Sequence, residues 1–170
     1  MSGQTRSSLK LASTVTLAVA AIWFISARYG HFRRDGEAGA RVWFYDQKKG
    51  QLYAAERDTI PPYGPGVRAI VVTFPGQETD PGKQRIAYLQ TYGQPLKDAL
   101  ERMKRDRESG KTRREPPPER GSELFRTNDL VRRVADAEWH AAASPEGRTI
   151  MSEWRSWRTP GGQAPVVCLP

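Results

Sequence analysis

The sequence predicts an α+β protein in which a single N-terminal transmembrane helix precedes a small domain of antiparallel strands and two amphipathic helices. Three observations carry that reading. Residues 11–27 (LASTVTLAVAAIWFISA) contain no charge, and Lys10 and Arg28 close the two ends. From Arg41 onward, short β-branched and aromatic runs alternate with turn residues. Pro95 and Pro145 each open a stretch whose apolar residues return at helical spacing. A chain of 170 residues leaves room for one domain and an appendage, which excludes a large multidomain enzyme. Its 38% hydrophobic content is low, and part of it lies ahead of Arg28, so the domain must build its core from little.

As a helix, residues 11–27 span about 25 Å, short of the ~30 Å hydrocarbon core of a bilayer. Snorkelling of Lys10 and Arg28, with Trp23 and Tyr29 near one interface, supplies the missing length. Leu11, Val15, Leu17, Val19, Ile22, Phe24 and Ile25 each favour insertion by about 0.3–0.6 kcal/mol, while Ser13, Thr14, Thr16 and Ser26 oppose it. Such a minimal helix leans on a neighbour. Ala12, Thr16 and Ala20 recur every four residues and offer a helix-packing face where another helix can approach closely. Two other readings stay open. One is a cleaved secretory signal with Arg6 and Lys10 as its charged region and Ile25-Ser26-Ala27 as the cleavage site. The other is a buried helix of a soluble domain, although nothing polar repeats at helical spacing to give it a solvent face. Counting Arg6 and Lys10 against Arg28, Arg33, Arg34 and Arg41 places the domain in the cytoplasm by the positive-inside rule. A short basic tail before a first hydrophobic segment reads instead as a signal anchor with an exported domain, and that is the orientation we expect.

The organisation read along the chain is a basic tail at 1–10, the transmembrane helix at 11–27, a Gly-rich juxtamembrane linker at 28–40 and the α+β domain at 41–170. Within the domain, residues 42–45 and 51–54 flank the turn Lys48-Lys49-Gly50 and read as a hairpin. Ile60-Pro61-Pro62-Tyr63-Gly64-Pro65-Gly66 is barred from regular structure by its prolines. Residues 67–74 (VRAIVVTF) form the best strand, apolar on both faces near its middle. Residues 85–92 fit a strand or a short helix. After Pro95, Leu96, Ala99, Leu100 and Met103 recur at i, i+3, i+4 and i+7. Residues 109–121 (SGKTRREPPPERG) are a Pro- and charge-rich linker. Residues 130–134 and 138–141 read as a second hairpin around Asp136, and Ser144-Pro145-Glu146 caps a helix carrying Ile150, Met151, Trp154 and Trp157 on one side. Residues 166–169 are a short terminal strand. The expected core holds Phe44, Leu52, Ile70, Val72, Leu100 and Trp154.

Twenty-seven Lys and Arg against nineteen Asp and Glu give a net charge of +8, which attracts anionic lipid head groups. Arg102, Lys104, Arg105 and Arg107 alternate with Glu101, Asp106 and Glu108 as on a solvated helix face, so no nucleic-acid partner is expected. Single Cys168 excludes an internal disulfide, and one Cys with two His offers no zinc-ligand spacing. No phosphate-cradling glycine loop, dinucleotide fingerprint or nucleophile elbow is present. His31 and His140 lack a readable partner, Asp46 and Asp58 suit turn and cap duty, and Cys168 in Val-Val-Cys-Leu reads as a small hydrophobe. The expected catalytic, cofactor and metal residues are therefore none. A candidate interaction surface is the aromatic set Trp43, Tyr45, Tyr53 and Tyr63.

Trp43-Phe44-Tyr45-Asp46, Gly50, Leu52, Ile60-Pro61-Pro62, Gly66-Val67-Arg68-Ala69 and Ser144-Pro145-Glu146-Gly147-Arg148 resemble a pattern in bacterial proteins with an N-terminal membrane-anchor segment and one small exported α+β domain. The resemblance implies a membrane anchor followed by a small domain, and it carries over no catalytic residue; with the signal-anchor reading of the N-terminus, the expected location is the bacterial inner membrane with the domain in the periplasm. Two function classes follow. The first is a non-enzymatic, single-pass accessory or structural subunit of a larger membrane protein complex, for example respiratory or photosynthetic, whose partners are the bilayer and other membrane subunits. The second is an anchored exported enzyme or ligand-binding module using the aromatic region at 43–63.

Overall fold

Val67, Ala69, Ile70, Val71 and Val72 put apolar side chains on both sides of one extended segment, so the chain must cover that segment from above and below. The computed structural model does so within the compact unit Gly39–Pro170. It describes residues 40–110, 116 and 118–170. The tail at 1–10, the hydrophobic segment at 11–27 with Ala12, Thr16 and Ala20, and most of the linker at 28–40 lie outside the described residues, as do 111–115 and 117. Among the described residues no helix is long and apolar enough to cross a membrane.

The elements are β1 (Arg41–Asp46), β2 (Gln51–Glu56), β3 (Gly66–Thr73), β4 (Arg85–Tyr92), α1 (Gln94–Glu108), α2 (Glu123–Asn128), β5 (Asp129–Arg132), β6 (His140–Ala141), α3 (Pro145–Glu153) and β7 (Val166–Val167). This is an α+β domain with one antiparallel sheet, in the order β2-β1-β3-β4-β5-β6, and β7 joins it on β3. Phe44 and Gln90 flank Arg68, whereas Val167 and Arg85 flank Val72. Strands β1 and β7 therefore share one edge of β3, end to end, and β4 takes the other.

Both expected hairpins are present. Asp46 turns the first one, its Oδ1 accepting from the backbone N–H of Lys48 and Lys49 at 2.9 and 3.0 Å, and Gly50 supplies the left-handed residue at φ 68°. In the second, Leu130 pairs with Ala141 and Val131 with His140. Residues 85–92 form a strand: Ala87, Leu89 and Thr91 are buried and their neighbours are not, a period of two.

The sheet has two differently built faces. On one, Val67, Ala69, Val71, Leu89 and Cys168 form a buried cluster with Trp43, Tyr45, Leu52, Ile86 and Trp139 packed against it. On the other, Val131, Ala142 and Ile150 make a second cluster joined by Tyr88 and Met151. Helix α1 turns Leu96 fully inward, with Ala99, Leu100 and Met103 half-buried beside it, as its spacing predicts. It ends at Ser109, and Gly110 follows at φ 67°. Its basic residues hold it to the loop between β2 and β3: Lys97 Nζ donates to the Pro62 carbonyl at 2.9 Å, and Lys104 pairs with Asp58 at 3.0 Å.

Helix α3 starts where Ser144 Oγ accepts from Gly147 N–H at 3.0 Å, with Pro145 following the cap. Arg133 of the adjoining loop grips its far end through two bonds to Glu153, at 2.8 and 2.6 Å, and a third to Asp136 at 3.1 Å.

The structure corrects several expectations. Phe44 and Val72 are fully buried, but Leu52, Ile70, Leu100 and Trp154 are only half-buried. Leu89, Leu96, Ile150, Val67, Val71 and Val131 fill the core in their place. The sheet is covered on both sides, so both side-chain registers of β3 are buried and β4 adds Leu89. Trp154 and Trp157 do not extend a helical face: α3 stops at Glu153, and a 3-10 turn spans Trp154–Ser156. Helix α2 was not expected at all. Ser122 caps it, accepting from Phe125 N–H at 3.5 Å, but six residues are too few to display a periodic face.

Helix α3 approaches β6 so closely that a Cβ on Gly147 would lie 2.1 Å from the Ala141 carbonyl oxygen. Backbone cannot swing aside like a side chain, so Gly147→Ala should destabilise the domain by about 1–3 kcal/mol. Urea unfolding should show a lower midpoint with unchanged slope, whereas Gly121→Ala, which meets nothing within 4 Å, should leave the midpoint in place.

Candidate functional site

The four aromatic residues of the candidate interaction surface do not share a face. Strand alternation turns Trp43 and Tyr45 toward the cluster around Val67 and Cys168, where both are half-buried. Tyr53, paired with Phe44 across β1 and β2, turns to the helical side, its ring centroid 5.8 Å from that of Phe44. The turn at Gly66 makes room for it, since a Cβ there would lie 2.0 Å from the Tyr53 hydroxyl. Tyr63 is 66% exposed. Tyr53 and Tyr63 together line an open groove of about 410 Å³ with Ile60 and with Glu101 and Lys104 of α1.

A larger cavity, about 520 Å³, opens on the same side of the sheet and is lined from α1, α2, β3, β4, β5 and the segments beside them. Its polar floor follows from register. Arg68 of β3 stands opposite Gln90 of β4, Tyr92 of β4 stands opposite Asp129 of β5, and Gln90 and Tyr92 are two residues apart. All four side chains therefore share one face. Arg120, just ahead of α2, and Arg126 of α2 add two guanidiniums to the wall, and Leu100 and Phe125 add apolar surface.

Gln90 Nε2 donates to Asp129 Oδ1 at 2.7 Å. Arg68 Nη2 donates to the Arg57 carbonyl at 2.9 Å, and its Nε is buried with no hydrogen-bond partner among the described residues. Burial pushes the Asp129 carboxyl above its ordinary value, and the Gln90 hydrogen bond and the charges of Arg120 and Arg68 oppose that push only in part. Burial likewise raises the Tyr92 phenol, which stays neutral and able to donate. Three guanidiniums thus face one carboxylate, and the cavity carries a positive excess suited to anions.

The remaining sequence candidates have other surroundings. Asp46 shapes the first hairpin turn, and Asp58 pairs with Lys104 and, at 3.6 Å, with Arg107. His140 is half-buried in β6, and His31 lies outside the described residues. Cys168 is 3% exposed, its N–H bonded to the Val71 carbonyl at 2.8 Å. Burial, with help from the Glu78 carboxylate, raises its thiol and favours the unreactive protonated form. Among the described residues no three His, Cys, Asp or Glu side chains come together as a metal site.

Sequence reasoning missed the cavity because its residues come from segments far apart in the chain. One signal was present: Arg68 is the lone charge inside the apolar run VRAIVVTF. Compared with known proteins, the chain matches no protein-family model, no curated protein and no solved structure.

The raised Asp129 pKa has a stability consequence. The folded state holds this proton more tightly than the unfolded chain does, so its contribution is full below the ordinary value of 3.8 and is lost as pH rises through the folded value. Asp129→Asn cannot ionise and keeps an oxygen for Gln90. It should be more stable than the parent near pH 7, with the gap closing at about pH 3, in thermal unfolding followed across that range.

Proposed function

We propose that this chain is a non-enzymatic, single-pass membrane-anchored accessory subunit, working by association with a larger membrane protein assembly. The observation that carries the reading is the uncharged run at 11–27, bounded by Lys10 and Arg28, ahead of a separate folded domain that begins with β1. A helix this short and this rich in Ser and Thr gains little from lipid alone, and Ala12, Thr16 and Ala20 give it a face for a protein neighbour. The net charge of +8 adds attraction to anionic head groups. The domain is exported, which in a bacterial cell puts it in the periplasm above the inner membrane. The second reading, an anchored exported enzyme or ligand-binding module using the region 43–63, draws on the groove between Tyr53 and Tyr63.

The test is the state of the full chain in its native membrane. After an alkaline carbonate wash the intact chain should stay with the membranes, and after mild-detergent extraction it should migrate with a much larger species. Thr16→Leu or Ala20→Leu should crowd the helix face and shift the chain toward its own size. Recovery of a soluble fragment lacking residues 1–27 would show a cleaved signal and end the anchor reading. An intact chain that runs alone in detergent, unchanged by either substitution, would favour the second reading.

A further inference from the structure

The cavity over β3, β4 and β5 has features that a structural role does not use. Several cations elsewhere in the domain meet an anion: Lys97 and Arg105 reach Glu101, Lys104 and Arg107 reach Asp58, and Arg133 reaches Glu153 and Asp136. Arg68, Arg120 and Arg126 have no carboxylate within ion-pair distance among the described residues, yet they converge on one concave space. Arg68 is the most telling of the three. It is the one charged residue of a strand that is otherwise apolar up to Thr73 at its end, and its Nε is buried without an acceptor among the described residues. Its Nη2 donates to the Arg57 carbonyl, a neutral acceptor, so the guanidinium has no anionic partner among the described residues, and an anion in the cavity would supply one.

We infer that this cavity binds a phosphorylated polyol, with Arg68, Arg120 and Arg126 receiving the phosphate and Asp129 and Gln90 receiving the hydroxyls. The class follows from the lining. Three guanidiniums against one carboxylate leave two net positive charges, enough for a phosphomonoester dianion or a phosphodiester monoanion, and the fork of an arginine matches phosphate oxygens. Asp129 would repel a bare anion, so its place in the wall calls for a ligand that also brings hydrogen-bond donors. Its Gln90 contact holds it in position at 2.7 Å. A volume of about 520 Å³ suits a small organic molecule, and the contour is too small for a polymer. Leu100 and Phe125 offer apolar surface to the carbon skeleton. The inference stands whether or not the chain is membrane-anchored.

Polyol phosphate can come from a free metabolite or from a lipid head group, and two probes separate these sources. Calorimetric titration of the full chain in detergent with glucose 6-phosphate tests the first, and co-sedimentation with phosphatidylglycerol vesicles, against phosphatidylcholine vesicles, tests the second. Saturable binding of either probe is expected. Arg126→Gln, on the exposed side of α2, should weaken it about tenfold while leaving the unfolding midpoint unchanged, and Arg68→Gln should weaken it at least as much. Asp129→Asn should raise affinity for inorganic phosphate, by removing a like charge, and lower the preference for glucose 6-phosphate over inorganic phosphate. Binding of neither probe would overturn the inference. So would binding that Arg126→Gln and Asp129→Asn leave unaltered, which would mark attraction to the overall positive charge and no defined site.

Discussion

Strand β3 is occupied on every side that a strand has. Its two faces bury Val71 and Val72 to 1% exposure each, and its two edges are taken by β4 on one side and by β1 and β7 in succession on the other. Each such aliphatic side chain contributes about 1.5–3 kcal/mol when fully removed from water, but only if something covers it. That requirement explains elements that would otherwise be too weak to form. Two residues of β7 cannot stand alone as a strand; they hold because they complete the β3 edge and because Cys168, next in sequence, drops into the cluster beneath. Trp43, Tyr45 and Trp139 close the same face. In a chain with few aliphatic residues, aromatic rings supply much of the covering area.

The opposite face is where the domain departs from a simple core. Phe44, Leu96, Val131 and Ile150 are fully buried there, yet Arg68 interrupts the apolar surface at its centre. Because register locks Arg68 beside Gln90 and Gln90 near Asp129, the polar groups gather rather than scatter. Helices α1 and α2 and the residues Ala142 and Ala143 that follow β6 stand around this polar patch, and the space left between them is the cavity. Arg132 is the counterpart on the aromatic face: its guanidinium lies 4.9 Å from the Trp139 ring and donates to Gln47 Oε1 at 2.7 Å. Both arginines keep a buried Nε without a hydrogen-bond partner among the described residues, and they differ in their surroundings: Arg132 lies against an aromatic ring, whereas Arg68 lines the cavity.

The sequence was most readable where the signal is local. Proline and cap residues marked the starts of α1 and α3, the turn residues around Gly50 and Asp136 marked two hairpins, and the run from Val67 announced a doubly buried strand. Strand β4 was ambiguous because Arg-Ile-Ala-Tyr-Leu-Gln-Thr-Tyr satisfies both periods, and only pairing to β3 and β5 decides it. Helix α2 escaped because its stability comes from docking: Gly93 N–H donates to the Asn128 carbonyl at 2.8 Å, a contact between segments far apart in the chain. The cavity was illegible for the same reason. Arg68, Arg120, Arg126 and Asp129 look like ordinary solvated charges until the register of three strands and the position of one short helix bring them together.

If β3 organises the domain, its backbone should be the last to open. Native-state hydrogen exchange on the full chain measures this directly. The slowest amides should be those of Val67 to Val72 and their partners in β4, exchanging only through global unfolding, while β6 and β7 open more readily through local fluctuations. Exchange in β3 as fast as in β6 would contradict the account, because it would mean the sheet can open at its centre without the rest of the domain coming apart.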